Sequence, residues 1–130
     1  MDARSNPSLL AELDRAATAP LTVDITTTGR LSGSPRRIEI WIVKVGDRLV
    51  IGGTPRPRDW LANLHADPVM TLHLTGSVTA DLNFVAHEVI DGERRREIWT
   101  HPSTSWYRRQ TSVEDLVAHA PTVELTPRLT

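Results

Sequence analysis

The sequence predicts a mainly β, α+β domain: a six-stranded antiparallel β-barrel, closed or nearly closed, with peripheral helices. Three observations carry this expectation. Six short runs rich in β-branched and apolar residues are punctuated by glycine, proline and aspartate turn signals. The helical patterns between them are short and mostly polar. At 130 residues and 39% hydrophobic content the chain builds one core, and six strands around one core leave fewest exposed edges when the sheet closes.

Each element follows in order. Asn6 or Ser5 caps a first helix with Pro7 at its first position, and Leu9, Leu10, Leu13, Ala16 and Ala17 recur at helical spacing until Pro20 stops it. Leu21 to Thr27 is β-branched, and a glycine- and arginine-bearing turn separates it from the partly alternating Arg37 to Val45. Gly46-Asp47 is a hairpin signal leading into a third strand, Arg48 to Gly52. The chain leaves the sheet at Gly53-Thr54-Pro55-Arg56-Pro57-Arg58, and Asp59 caps a helix carrying Trp60, Leu61 and Leu64 that Asp67-Pro68 closes. Val69 to Leu74 and Val78 to Val89 are strands around Thr75-Gly76-Ser77, with Asp91-Gly92 ending the second. Glu93 to Trp99 is helical, His101-Pro102 interrupts it, Ser105 to Gln110 and Val113 to His119 continue as helices, and Thr122 to Leu125 is the last strand. One domain is therefore expected over 1–130: an N-terminal helix in 1–20, barrel strands with an inserted helix near 58–66 in 21–90, a helical segment in 91–120 and a closing strand in 121–126.

Charge and composition narrow the function. A formal net charge of −1 argues against a nucleic-acid partner held by bulk electrostatics. With no cysteine, disulfides, thiolate nucleophiles and thiolate metal sites are ruled out, so redox chemistry needs a bound cofactor. The five histidines show no metal-ligand spacing, so no metal site is expected, and His73 and His87 read as solvated. No basic leader or membrane-length apolar run is present, which makes a cytoplasmic protein without a transmembrane segment the expectation. Glu93 to Glu97 reads as a solvated, charged helix face with weak exposed pairs.

The stretch Thr26 to Val43, TTTGRLSGSPRRIEIWIV, concentrates the candidate chemistry. Backbone amides of a glycine-bearing turn form a concavity for anions, and Arg36 and Arg37 supply charge-assisted hydrogen bonds. Because strand side chains alternate, one of the two arginines faces a ligand at a time. The loop Gly52-Gly53-Thr54-Pro55, with Arg56 and Arg58, forms a second candidate surface, where the glycines' missing side chains let a backbone approach a ring or phosphate.

Thr27-Thr28-Gly29-Arg30-x-Ser32-Gly33 with Arg36-Arg37, followed by Trp60-x-x-Asn63-Leu64-x-x-Asp67-Pro68, resembles the deazaflavin-dependent nitroreductase family. Leu21 to Val89 carries most of the likeness, and Val123-Glu124-Leu125-Thr126-Pro127 fits the family's ending. The resemblance implies the split β-barrel shared with pyridoxamine-phosphate-oxidase-like flavoproteins. It implies a reduced 8-hydroxy-5-deazaflavin that hands a hydride to a small electron-poor acceptor, such as a quinone or nitro compound. Cofactor contacts are then expected from Ser32, Gly33, Arg36, Arg37, Gly52, Gly53, Thr54 and Trp60, with Arg36 favoured over Arg37 by its place in the motif. Trp106 and Tyr107 are the expected acceptor contacts, and hydride transfer asks for no protein nucleophile. Against the family pattern, Leu31 stands where a lysine is usual, Glu39 where a proline is common, and the connection from Gly52 to Trp60 is short. These departures keep two alternatives open: an FMN-binding barrel paired as a homodimer, or a noncatalytic ligand-binding barrel.

Overall fold

The structure, a computed structural model, describes residues 7–76 and 79–128. The expected cap at Ser5 or Asn6, and Ser77 and Val78 of the turn before the fifth strand, lie outside the described residues. Twelve elements follow one another: α1 (Pro7–Ala16), β1 (Leu21–Thr28), β2 (Pro35–Val45), β3 (Arg48–Gly52), α2 (Asp59–Ala66), β4 (Val69–Thr75), β5 (Thr79–Glu88), α3 (Gly92–Thr100), a 3-10 turn (Pro102–Thr104), α4 (Ser105–Arg108), α5 (Val113–His119) and β6 (Thr122–Pro127). The strands close into an antiparallel barrel in the order β1-β2-β3-β6-β5-β4, as the sequence predicts.

Register is set by the alternation of apolar residues. In β1, Val23 and Ile25 point inward, and a slip of one residue would turn them out to solvent. Pairing of Leu21 with Ile42 and Ile25 with Ile38 fixes β1 on β2, while Ile25 opposite Leu72 closes β1 onto β4. The barrel core gathers Ile25, Ile42, Ile51, Leu72, Leu82, Phe84 and Leu125, all buried. Leu13 of α1 and Ala17 just after it join this core near the start of β1, and Trp60 and Leu64 of α2 join it near the end of that strand. A second core lies outside the barrel, where α3 to α5 cover Val43, Val45 and Val50 with Ile98, Trp99, Tyr107 and Leu116. Both faces of β2 are thus covered where Ile42 enters one core and Val43 the other. The apolar run in β2 is spent on these two cores.

Several local expectations change. Asp59 is the first helical residue of α2; Arg58 occupies the cap position and makes no side-chain cap bond. The Asp59 carboxylate instead faces Arg30 at 3.5 Å, a partner from another part of the chain. Strand β2 starts at Pro35, because the ladder with β1 runs on to the Thr28–Pro35 pair. The short α4 stops at Arg108, earlier than the helical pattern suggests. His73 is buried, with its Nδ1 2.7 Å from Asp81 and its Nε2 2.6 Å from the Thr26 hydroxyl, so it is not the solvated residue the sequence suggests. Thr26 on β1 and Asp81 on β5, and not His87, are its partners.

Candidate active site

Between β1 and β2 the chain turns through Gly29 to Ser34. Gly33 takes φ of 71°, a left-handed conformation that a side chain disfavours, and this reverses the strand. The turn's amides are not a free anion nest. Gly29 N donates to Ser34 O and Gly33 N to Gly29 O, each at 2.8 Å. Ser34 N donates to the Ser32 hydroxyl at 3.1 Å, and Arg30 N to the Asn63 carboxamide oxygen at 3.1 Å. Only the amides of Leu31 and Ser32 remain for a ligand among the described residues of this turn. Electrostatic capture therefore falls to side chains.

The buried carboxamide of Asn63 on α2 organises this region. Its oxygen accepts from Arg30 Nη1 at 3.0 Å as well as from the Arg30 amide, and its Nδ2 donates to the buried Thr27 hydroxyl at 3.2 Å. Arg30 is thereby committed. Arg37 is committed too, with Nε 3.0 Å from Asp24 on β1. Arg36 has no hydrogen bond or ion pair among the described residues and lines a cavity of about 420 Å³ with Gly29, Arg30, Leu31, Ser32 and Trp60. Leu31 stands almost fully exposed at its rim.

A second cavity of about 450 Å³ opens beside the first, and Ile38 and Trp60 line both. Its wall brings together Gly52, Gly53, Thr54, Trp41, Trp106 and Tyr107. The aromatic rings meet edge to face: Trp41 and Trp106 at 4.7 Å, Trp106 and Tyr107 at 5.3 Å, Trp99 and Tyr107 at 5.2 Å between centroids. Trp99 lies behind this wall, buried, with its indole N–H on the Thr122 hydroxyl at 3.0 Å. Tyr107 lines this cavity, and its hydroxyl, which makes no hydrogen bond among the described residues, is not one of the enclosed polar atoms. Burial pushes its pKa up to about 12, which keeps it a neutral hydrogen-bond donor.

The two glycines have packing reasons of their own. A Cβ on Gly52 would come within 2.5 Å of Pro121 O and against the Trp99 ring, and one on Gly53 within 2.6 Å of the Arg58 guanidinium. Of the residues expected from the sequence, Ser32, Arg36 and Trp60 meet at the first cavity, and Gly52, Gly53, Thr54, Trp60, Trp106 and Tyr107 at the second. Arg37 turns to Asp24, and Gly33 lines neither cavity. Arg56 and Arg58, expected from the sequence beside the glycine loop, line the second cavity, whereas Trp41 and Asn63 are site residues that the sequence reading does not single out. No group of His, Asp and Glu among the described residues could hold a metal ion. No helix among them is long and apolar enough to cross a membrane.

These features define a split β-barrel with an elongated, arginine-to-aromatic groove. Solved structures of the same fold include an F420-H2 dependent reductase, FDR-A, at a TM-score of 0.54 and 20% identity, covering 81% of this chain and 93% of that one. Rv2991, a conserved hypothetical protein of Mycobacterium tuberculosis, aligns with a TM-score of 0.64 and 21% identity over 91% of this chain and 79% of that one. A Clostridium acetobutylicum protein related to general stress protein 26 of B. subtilis, of the pyridoxinephosphate oxidase family, aligns at 0.66 and 14% identity over 92% and 82%. At these identities the likeness is one of fold. The family model of F420H2-dependent quinone reductases matches residues 10–118, and the chain belongs to that family.

Proposed function

We propose that this protein transfers a hydride from reduced 8-hydroxy-5-deazaflavin, F420, to a small electron-poor acceptor such as a quinone or nitro compound. One observation carries the reading: the two cavities join along Ile38 and Trp60, with an unpartnered arginine in the first and an aromatic wall in the second. The donor set fits the cofactor. Arg36 and the amides of Leu31 and Ser32 suit an anionic group, and Trp60 with the Gly52-Gly53-Thr54 edge suits a planar ring. When bound, the reduced deazaflavin supplies the hydride. The aromatic wall excludes water from the acceptor, Trp106 stacks on its ring, and the neutral Tyr107 hydroxyl donates a hydrogen bond to the quinone or nitro oxygen as negative charge develops there.

A second reading, an FMN-binding barrel, draws on the commitment of Arg30 and Arg37, which leaves Arg36 to meet one compact phosphate. Titration with oxidised F420 and separately with FMN, followed by tryptophan fluorescence, decides between them. The leading reading expects F420 to bind, salt to weaken it, and Arg36→Gln to weaken it about tenfold or more, the scale of one charge-assisted hydrogen bond. Preference for FMN supports the second reading, and binding of neither overturns both.

A further inference from the structure

The connection after β3 presents one arginine in an unusual setting. Arg58 folds back on its own loop, donating from Nη1 to Arg56 O at 2.9 Å and from Nη2 to Thr54 O at 3.0 Å. Gly53 leaves room for that guanidinium. Pro55 and Pro57 restrict the backbone on either side of Arg56. The loop is stapled, and Arg56 is exposed on it with a side chain that has no partner among the described residues. Arg58 is held below the usual arginine range, first by burial and then by the charge of Arg56. Two cations side by side favour an anion between or beside them.

Arg56 lines both the aromatic cavity and a larger one of about 810 Å³ that runs to the end of α5. Arg95 and the two carboxylates of that larger cavity are already occupied. Arg95 donates to four main-chain carbonyls, Glu88 pairs with His65 at 3.0 Å, and Asp115 accepts from the Thr111 hydroxyl at 2.7 Å. The free arginine thus stands where the aromatic wall ends. Glu39 lines the aromatic cavity as well, without an ion pair among the described residues, and a carboxylate disfavours an anion bound close to it.

We infer that the acceptor is an anionic aromatic compound: its planar, electron-poor ring enters the aromatic cavity and its carboxylate, sulfonate or phosphate is held by Arg56. This rests on the function proposed above, and it assigns Arg56 to the acceptor while Arg36 serves the cofactor. The test uses anthraquinone-2-sulfonate and the neutral anthraquinone-2-sulfonamide, which share a ring. Binding of each is followed by tryptophan quenching without any cofactor, in the wild type, Arg56→Gln, Arg56→Lys and Glu39→Gln, and the affinity for oxidised F420 is measured in parallel. Arg56→Gln is expected to weaken the sulfonate about tenfold and the sulfonamide less than about twofold, with Arg56→Lys retaining part of the preference. Glu39→Gln is expected to tighten the sulfonate about threefold as its repulsion is removed. Equal losses for both quinones overturn the inference. So does a loss of F420 affinity in Arg56→Gln as large as in Arg36→Gln, which would hand Arg56 to the cofactor. Because the quinone titrations need no cofactor, failure of F420 to bind would sink the proposed function and leave the Arg56 result readable.

Discussion

Arg94, Arg95 and Arg96 on α3 and Arg30, Arg36 and Arg37 around the β1–β2 turn are two arginine clusters of the same size and different fates. Helical steps of about 100° send three successive side chains to three directions. Arg94 reaches Glu124 and Glu97, each at 2.6 Å; Arg95 reaches the carbonyls of Val89, Leu116, Val117 and Ala120; Arg96 forks onto the Glu114 carboxylate. All three are spent on architecture, and the solvated face expected from the sequence is instead a set of ties between α3, α5 and β6. In the turn, Arg30 and Arg37 are spent in the same way, and Arg36 is left over at a cavity. Density of charge therefore does not mark a site. A charge without a partner does.

The largest effect that could break this contrast is at Arg95. Its guanidinium closes the C-terminal end of α5 and is the one partner, among the described residues, of the Val117 and Val89 carbonyls. Arg95→Met leaves those acceptors unmet and is expected to cost about 3 kcal/mol in urea unfolding. Arg96→Ala, which removes a fully exposed pair, should leave the midpoint unmoved. Equal effects from the two would show that α3 is held by diffuse charge and not by directed bonds.

The barrel was legible because burial alternates along its strands: Val23, Ile25 and Thr27 face inward in β1, and the same period recurs in β5 at Leu82, Phe84 and Ala86. The turn's arginines and Trp60 were legible as a motif. The motif favoured Arg36, but the reason it stays free was not legible, because Arg37 is taken by Asp24 across the sheet and Arg30 by Asn63 on α2, both remote in sequence. The Thr26–His73–Asp81 tie was hidden for the same reason, since it joins three strands. Likewise Asp59 looks like a cap locally, but the helix begins one residue earlier than a cap there would require.

A smaller effect sharpens the contrast from the other side. Asn63→Ala removes the acceptor that holds Arg30 and the donor to the buried Thr27 hydroxyl, and is expected to cost about 2 kcal/mol in urea unfolding. F420 affinity should fall as well, because the turn that positions Arg36 loses its anchor on α2. If affinity rose, Arg30 would be more useful to the ligand free than bound, and the division between spent and available arginines would be wrong.

The smallest effect at neutral pH is at Tyr107, where the helical layer meets the groove. Its side chain belongs to the second core and lines the aromatic cavity, and its hydroxyl makes no hydrogen bond among the described residues, so Tyr107→Phe keeps the packing and removes only the donor. Stability below pH 9 should be unchanged within about 0.5 kcal/mol. The sign of the alkaline effect follows from its pKa, raised by burial from the ordinary 10 to about 12. Between those values the folded protein holds a proton that the unfolded chain has released, so stability falls as pH rises, by up to about 1.4 kcal/mol per unit. Tyr107→Phe abolishes that share of the loss, so urea midpoints that coincide below pH 9 should separate above pH 10, with the variant's the higher. If the hydroxyl also serves the acceptor, the variant lowers the turnover rate at pH 7 where its stability is intact, which separates a donor in the groove from a ring in the core.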